Sequence, residues 1–417
     1  MKIITARAHR LLDACVREIG EKAAGGERCM FLVPAQYTLQ AEIEIMTRLN
    51  LEGTFLIDVL SPGRLQGRVF ERAGQPDHVI FDERGKCMVL SGIIEQVKES
   101  LIIYRAAAQQ SPAGLAAKFS SLIADFKRSG LTAADLFQRL EMMNDAQRAL
   151  PSSKKLSDAA VIYAAYESRM AGRLADAEDV AREMLARMAR SGVMRDQHVF
   201  VHGFDMITPA FAAQLVHMAA LCKSLTLAVE TDDNGAPDGR LYAPVNFSLE
   251  RLGQLAAQQG VNVKREKLNR ELDAPKDIQI MERKLFALGV KPEEHEPESI
   301  EVHAVSSVRQ EVHSCGARIR RMMLKGVDAS EIAVVYPKGS GYAALMENIL
   351  SQYGVMAYVA QKRPAGAHPL CRFVTAALRV VTQGWRTVDL CECVLCGFMP
   401  LERADADALC AYIEGCR

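Results

Sequence analysis

Short apolar runs alternate with amphipathic stretches through the first eighty residues, and that rhythm admits few folds. Lys2–Thr5 reads as a strand and Leu11–Ile19 as the helix after it. Arg28–Val33 is a second apolar run, stopped by Pro34. Thr38–Asn50 then places Leu39, Ile43, Met46 and Leu49 on one helical face. Thr54–Leu60, closed by Ser61-Pro62-Gly63, and Arg64–Ala73 repeat the pattern. Such alternation implies α/β structure: a parallel sheet with crossover helices, whose ligand loops gather at the carboxyl ends of the strands.

Near Asp82 the alternation stops. Gly92–Arg105, Leu115–Ser129, Ala133–Met142, Asp158–Ala171 and Ala177–Ala189 all carry helical spacing. Turn signals at Ser111-Pro112, Gly130, Pro151-Ser152-Ser153 and Gly192 separate them. Strands resume at Val199–His202 and Leu225–Val229, with Thr208-Pro209 opening the helix between them. The expectation is one α/β domain split over residues 1–81 and 192–264, interrupted by a helical insertion over 82–191. Residues 265–299 are charged, contain Pro275, Pro292 and Pro297, and read as a linker. A second α/β unit is expected over 300–417, with strands at Ile300–Val305, Ile332–Tyr336 and Val355–Val359.

Composition narrows the function classes. The net charge is zero, so any nucleic-acid surface must be a local patch. No apolar run approaches the roughly 20 residues that span a bilayer, and no membrane partner is expected. Eleven cysteines without an export signal imply reduced thiols and a cytoplasmic setting.

The first strand–helix junction is Ala6-Arg7-Ala8-His9-Arg10. A nucleotide-binding domain would place a glycine-rich cradle ending in Gly-Lys-Ser/Thr here. No glycine precedes Gly20. Arg7, His9 and Arg10 either meet an anion at the helix N-terminus or belong to a plain turn. The plain turn is preferred, because phosphoryl chemistry needs a lysine and a Mg²⁺-binding hydroxyl at fixed positions. The strand at Val199–His202 ends in Gly203-Phe204-Asp205, without adjacent carboxylates, and Asp205 reads as a turn or capping residue. No catalytic residue is assigned. Cys391, Cys393, Cys396, Cys410 and Cys416 invite a metal reading but lack a second paired knuckle, so buried thiols are preferred.

The segment order resembles the UvrD-like superfamily of helicases, and several phrases resemble one branch, the AddB (RexB) subunit of the AddAB helicase–nuclease. These are Phe31-Leu32-Val33-Pro34-Ala35-Gln36-Tyr37-Thr38, Leu60-Ser61 with Arg64-Leu65, Phe126-Lys127-Arg128-Ser129-Gly130-Leu131, Lys155-Leu156-Ser157-Asp158, Val201-His202-Gly203-Phe204-Asp205, and Lys362-Arg363-Pro364 with His368-Pro369-Leu370. The resemblance implies a RecA-like (P-loop NTPase-like) domain and a partial second one in a chain shorter than its family. It implies work on single- or double-stranded DNA ends in double-strand break repair by homologous recombination, beside an AddA-type partner, in a bacterial cytoplasm and on the nucleoid when DNA is bound. The family uses ATP, Mg²⁺ and an iron–sulfur cluster; here their sites read as degenerate or absent. Lys338 stands where active relatives place a γ-phosphate arginine, keeping the charge but not the two-pronged geometry. By the same resemblance Gln36, Tyr37, Thr38, Ser61 and Arg64 are DNA-contact candidates, with ordinary loop polarity as the alternative. The expected function is a non-motor, DNA-guiding subunit or a truncated form of one. Its rivals are an active ATPase or helicase and a non-enzymatic scaffold or gene fragment.

Overall fold

The computed structural model describes every residue except 8, 9, 173, 233, 234, 237, 269–271, 295, 338, 340, 360–364, 416 and 417. The chain divides into two compact units, Met1–Ile300 and Glu301–Arg417.

In the first unit β1 (Lys2–Ala6) leads to α1 (Arg10–Ala24), β2 (Arg28–Leu32) to α2 (Thr38–Arg48), and β3 (Ile57–Leu60) to α3 (Pro62–Ala73). Ser61 ends β3 and caps α3: its Oγ accepts from the Arg64 amide, and Pro62 takes the first helical turn, where no N–H is needed. A short β4 (Val79–Ile80) precedes α4 (Glu83–Val97), α5 (Arg105–Gln110), α6 (Pro112–Arg128), α7 (Ala133–Glu141), α8 (Asp145–Ala149) and α9 (Pro151–Met170). Leu90, Phe119, Ile123, Tyr163 and Tyr166 give these helices their own core. Pro151, expected in a turn, instead opens α9. After α9 come β5 (Leu174–Ala175) and α10 (Ala177–Ser191). β4 and β5 pair in parallel, a two-strand piece that the helical periodicity of this stretch did not reveal. The chain continues through β6 (Gln197–Val201), α11 (Pro209–Leu221), β7 (Ser224–Glu230), α12 (Ala243–Gln258), β8 (Lys264–Lys267) and α13 (Lys276–Lys284). Thr208 caps α11 by accepting from the Phe211 amide.

Six strands form one sheet in the order β3-β2-β6-β7-β1-β8, and every pair is parallel. Alternate residues go to opposite faces, as the pleat requires. Ile3, Met30, Leu32, Val199, Val201, Leu225 and Leu227 pack with α3, α10, α11 and α12. Ile4, Cys29, Phe31, Val33, Phe200 and Ala228 pack with α1 and α2.

The stretch expected as a linker is partly structured. Lys264–Lys267 (Lys-Arg-Glu-Lys) runs along β1 as an edge strand. It has no apolar residue to announce it: it pairs through its backbone, and its charges keep the edge from adding further strands. α13 follows, and its Asp277 carboxylate accepts from the Ser299 amide at 2.6 Å.

The second unit contains α14 (Val308–Leu324), α15 (Tyr342–Gln352), α16 (Pro369–Thr382), α17 (Thr387–Leu395) and α18 (Arg403–Gly415). Val312, Ile319, Met346, Ile349, Leu350 and Val355 form its main core. The strands expected at Ile300–Val305, Ile332–Tyr336 and Val355–Val359 are not formed; no described residue of this unit lies in a ladder. An extended segment becomes a strand only when a neighbour takes its N–H and C=O groups. Here Val302, Val335, Met356 and Tyr358 are almost fully exposed. Among the described residues no helix is long and apolar enough to cross a membrane.

Candidate functional site

Because all six strands are parallel, their carboxyl ends meet at one edge, where ligands of such sheets bind. A cavity of about 830 Å³ opens there, beside the ends of β6 and β7 and the first turn of α1. The charge of its described lining is the wrong sign for a phosphate. Among the described residues five carboxylates line it, from Asp13, Glu44, Asp205, Glu230 and Asp273, against one guanidinium, that of Arg48. Arg48 is itself occupied, pairing with Asp13 and donating to Glu44 Oε2 at 2.7 Å. His202 adds no charge near neutral pH, because burial holds its pKa below the ordinary imidazole value. Its ring lies parallel to Phe31 at 6.3 Å and edge-on to Tyr37 at 6.4 Å, and its buried Nδ1 has no hydrogen-bond partner among the described residues.

The turn that places His202 depends on Gly203. Its φ is +82°, and a Cβ there would sit 3.2 Å from Pro34 Cδ. Glycine therefore lets the loop after β6 cross the loop after β2.

Arg7 leaves β1 at the same edge, but not towards solvent. Nη1 donates to Asp232 Oδ2 at 3.0 Å and Asp238 Oδ1 at 2.9 Å. Nη2 donates to Asp238 Oδ2 at 2.6 Å and the Glu282 carbonyl at 3.1 Å, and Nε to Glu282 Oε1 at 2.7 Å. A guanidinium has five N–H donors, and these contacts use them all. The Tyr242 ring lies 5.4 Å from the guanidinium carbon. The Asp238 contact outweighs the lowering by burial and, with Glu282 and Asp232, holds the Arg7 pKa above its usual value; Arg7 in turn holds the Asp238 carboxyl below its own. Lys267 closes the cluster, 2.5 Å from Asp232 Oδ1. Arg7 is thus a clasp joining β1, the loop after β7, and α13.

The remaining candidates are dispersed. His9 and Lys338 lie outside the described residues, as does the side chain of Arg10, which begins α1. Asp205 is exposed on the acidic cavity. Gln36 is exposed in a short turn; Tyr37 lines the acidic cavity, and burial raises its pKa. Thr38 Oγ1 donates to the Ala35 carbonyl at 3.1 Å. Ser61 is buried and spent on its cap. Arg64 is 61% exposed, reaches Glu42 at 3.7 Å and lines a separate hollow of about 740 Å³. The five therefore share one edge but not one cavity. Lys127, part of an apparent basic cluster, is buried and donates to Asp176 at 2.8 Å and Asp179 at 2.7 Å. Cys391 and Cys410 are buried where α17 meets α18. Among the described residues no group of three or more His, Cys, Asp or Glu side chains is arranged to hold a metal.

Sequence reasoning missed the acids. Glu230 and Asp232 stand together where β7 ends, but Asp13, Glu44, Asp238, Asp273 and Glu282 share no motif. Only the parallel crossovers bring them to one edge.

The family model described as "ADDB, N-terminal" matches residues 5–282. A protein of Bacillus anthracis, named as the B subunit of an ATP-dependent helicase/deoxyribonuclease, is 24% identical over 404 residues, 91% of this chain and 33% of its own length. A protein of the same name from Desulforudis audaxviator is 27% identical over 412 residues, covering 96% of this chain and 35% of its own length. The chain thus spans about a third of the length of these curated relatives.

Proposed function

The chain belongs to the AddB N-terminal family, and from that premise we propose that it is a non-motor, DNA-guiding part of an AddAB-type helicase–nuclease. The observation that carries this reading is the Arg7 clasp. The one described cation at the first strand–helix junction spends all five donors on protein oxygens. The neighbouring cavity presents carboxylates where a triphosphate would need donors. The family's ATP and Mg²⁺ therefore do not suit these residues, and an AddA-type partner supplies the driving force. The setting is double-strand break repair in a bacterial cytoplasm.

In the finer architecture we propose a RecA-like domain over 1–81 and 192–264, interrupted by helices over 82–191. The direct pairing of β2 with β6 across that interval supports it. DNA guidance is assigned to the loops after β2 and β3. Those strands are parallel neighbours, so Gln36 and Arg64 lie along one edge.

The test is DNA-stimulated phosphate release by the purified chain, alone and with an AddA-type partner inactivated in its own ATP site. No turnover is expected. Turnover abolished by Arg7→Ala or Arg10→Ala in variants that stay folded by their melting transition would overturn the reading, since it would reveal an unorthodox cradle.

A further inference from the structure

The opposite edge of the sheet carries the opposite charge. At the amino ends of β2, β3 and β6 lies a hollow of about 370 Å³. Four arginines line it, Arg28, Arg68, Arg72 and Arg195, against two carboxylates, Asp58 and Asp196. Arg68 and Asp58 cancel in a two-pronged pair at 2.7 and 3.0 Å. The side chains of Arg28, Arg72 and Arg195 have no ion-pair or hydrogen-bond partner among the described residues. They come from three different elements: the first residue of β2, the last turn of α3, and the turn before β6. All three are exposed to solvent, hydrated cations gathered around one concavity and available to an incoming anion.

Two further groups at this hollow specify the anion. Gln197 is 8% exposed, and its Oε1 is buried without a hydrogen-bond partner among the described residues. A buried amide oxygen left unpaired is expensive, and a donor on a ligand removes that cost. Phe55 stands fully exposed on the same lining, an aromatic face with no ring stacked on it among the described residues. Guanidinium groups for a phosphate, an acceptor for a sugar hydroxyl or base amine, and a ring for a base are the parts of a nucleotide subsite.

We propose that this hollow binds one nucleotide unit, phosphate on Arg28, Arg72 and Arg195, base on Phe55, and a hydroxyl or amine on Gln197. The site lies at the edge opposite the acidic cavity and does not depend on the role proposed for the carboxyl edge. The nucleotide comes either from a single strand or from a free mononucleotide, and the shared chemistry is the same.

The full chain is titrated with a fluorescein-labelled oligo(dT) strand and separately with dTMP, across a salt series. Arg72→Ala/Arg195→Ala should weaken oligo(dT) by about tenfold and lower the log–log salt slope by about 1.4, two phosphates' worth for a single strand. Phe55→Ala should weaken it roughly fivefold or more with the salt slope unchanged. If dTMP shows these affinity losses and oligo(dT) does not, the site is filled by free nucleotide; if oligo(dT) shows them, by a strand. Arg64→Ala serves as the carboxyl-edge control. Unchanged affinity for both ligands in variants that keep the wild-type melting transition overturns the proposal. Inorganic phosphate competing as well as dTMP, with Phe55→Ala silent, overturns it too.

Discussion

The Arg7 guanidinium and the Asp238 carboxylate meet in a two-pronged bond at 2.9 and 2.6 Å across 231 residues of sequence. The Asp238 side chain is 1% exposed. Removing one member of such a pair leaves the other charged and dry, which costs more than the pair contributes in place. Arg7→Ala should therefore destabilise the first unit by about 3 kcal/mol, read by urea unfolding. Asp238→Asn in the same chain should recover part of that loss by removing the stranded charge. An unchanged midpoint in the single variant would show that the clasp does not hold β1 to α13.

A second buried network should show a pH signature. Asp176 accepts from Lys127 at 2.8 Å and Tyr166 Oη at 2.9 Å, lies 3.3 Å from Lys86, and caps α10. Burial alone would raise its pKa, but Lys127, then Lys86, hold it well below the carboxylate range. Its folded value lies under the unfolded one, so its stabilisation is complete above about pH 4 and is lost as pH falls through the folded value. Asp176→Asn should cost about 3 kcal/mol at pH 7. The gap from wild type should narrow from about pH 4 downward in denaturation curves; a constant gap would refute the assignment.

His202 titrates in a different window. Burial depresses its folded pKa below the ordinary value of about 6.5, so the unfolded chain binds a proton that the folded chain refuses. Stability must fall as pH drops from about 7 towards the folded value. His202→Phe keeps a ring beside Phe31 and removes both the titration and the unpartnered Nδ1. Thermal melts at pH 7 and pH 5.5 should show a smaller acid loss in the variant.

Two glycine substitutions should move stability in opposite directions. Gly203→Ala meets a positive φ and Pro34, and should cost roughly 1–2 kcal/mol. Gly67→Ala lies inside α3 with open space around it, and should stabilise by roughly 0.5–1 kcal/mol. Equal effects in urea unfolding would mean that the Gly203 turn is not constrained as described.

The strands of the sheet's interior were legible because each writes its own apolar run. Met30 and Phe31, or Leu227 and Ala228, are neighbours in sequence and go to opposite buried faces. β8 was illegible because Lys-Arg-Glu-Lys carries no apolar signal and is held by backbone bonds to β1. The expected strands of the second unit erred the other way. Val335 and Met356 look like strand residues locally, yet a ladder is a property of two segments, and no second segment lies beside them among the described residues.

By itself the sequence determined the alternating α/β order, the helical interval and the lack of a glycine-rich cradle, since these rest on local periodicity and on residues adjacent in the chain. Only the tertiary structure decided where the charges went. Arg7 read, with His9 and Arg10, as part of a basic turn beside a helix, and its acceptors stand 225, 231 and 275 residues away. A chain of zero net charge can carry an acidic cavity on one edge of its sheet and an arginine-lined hollow on the other. Electrostatics acts through distance in space, and that distance is set by which strands the crossovers make neighbours.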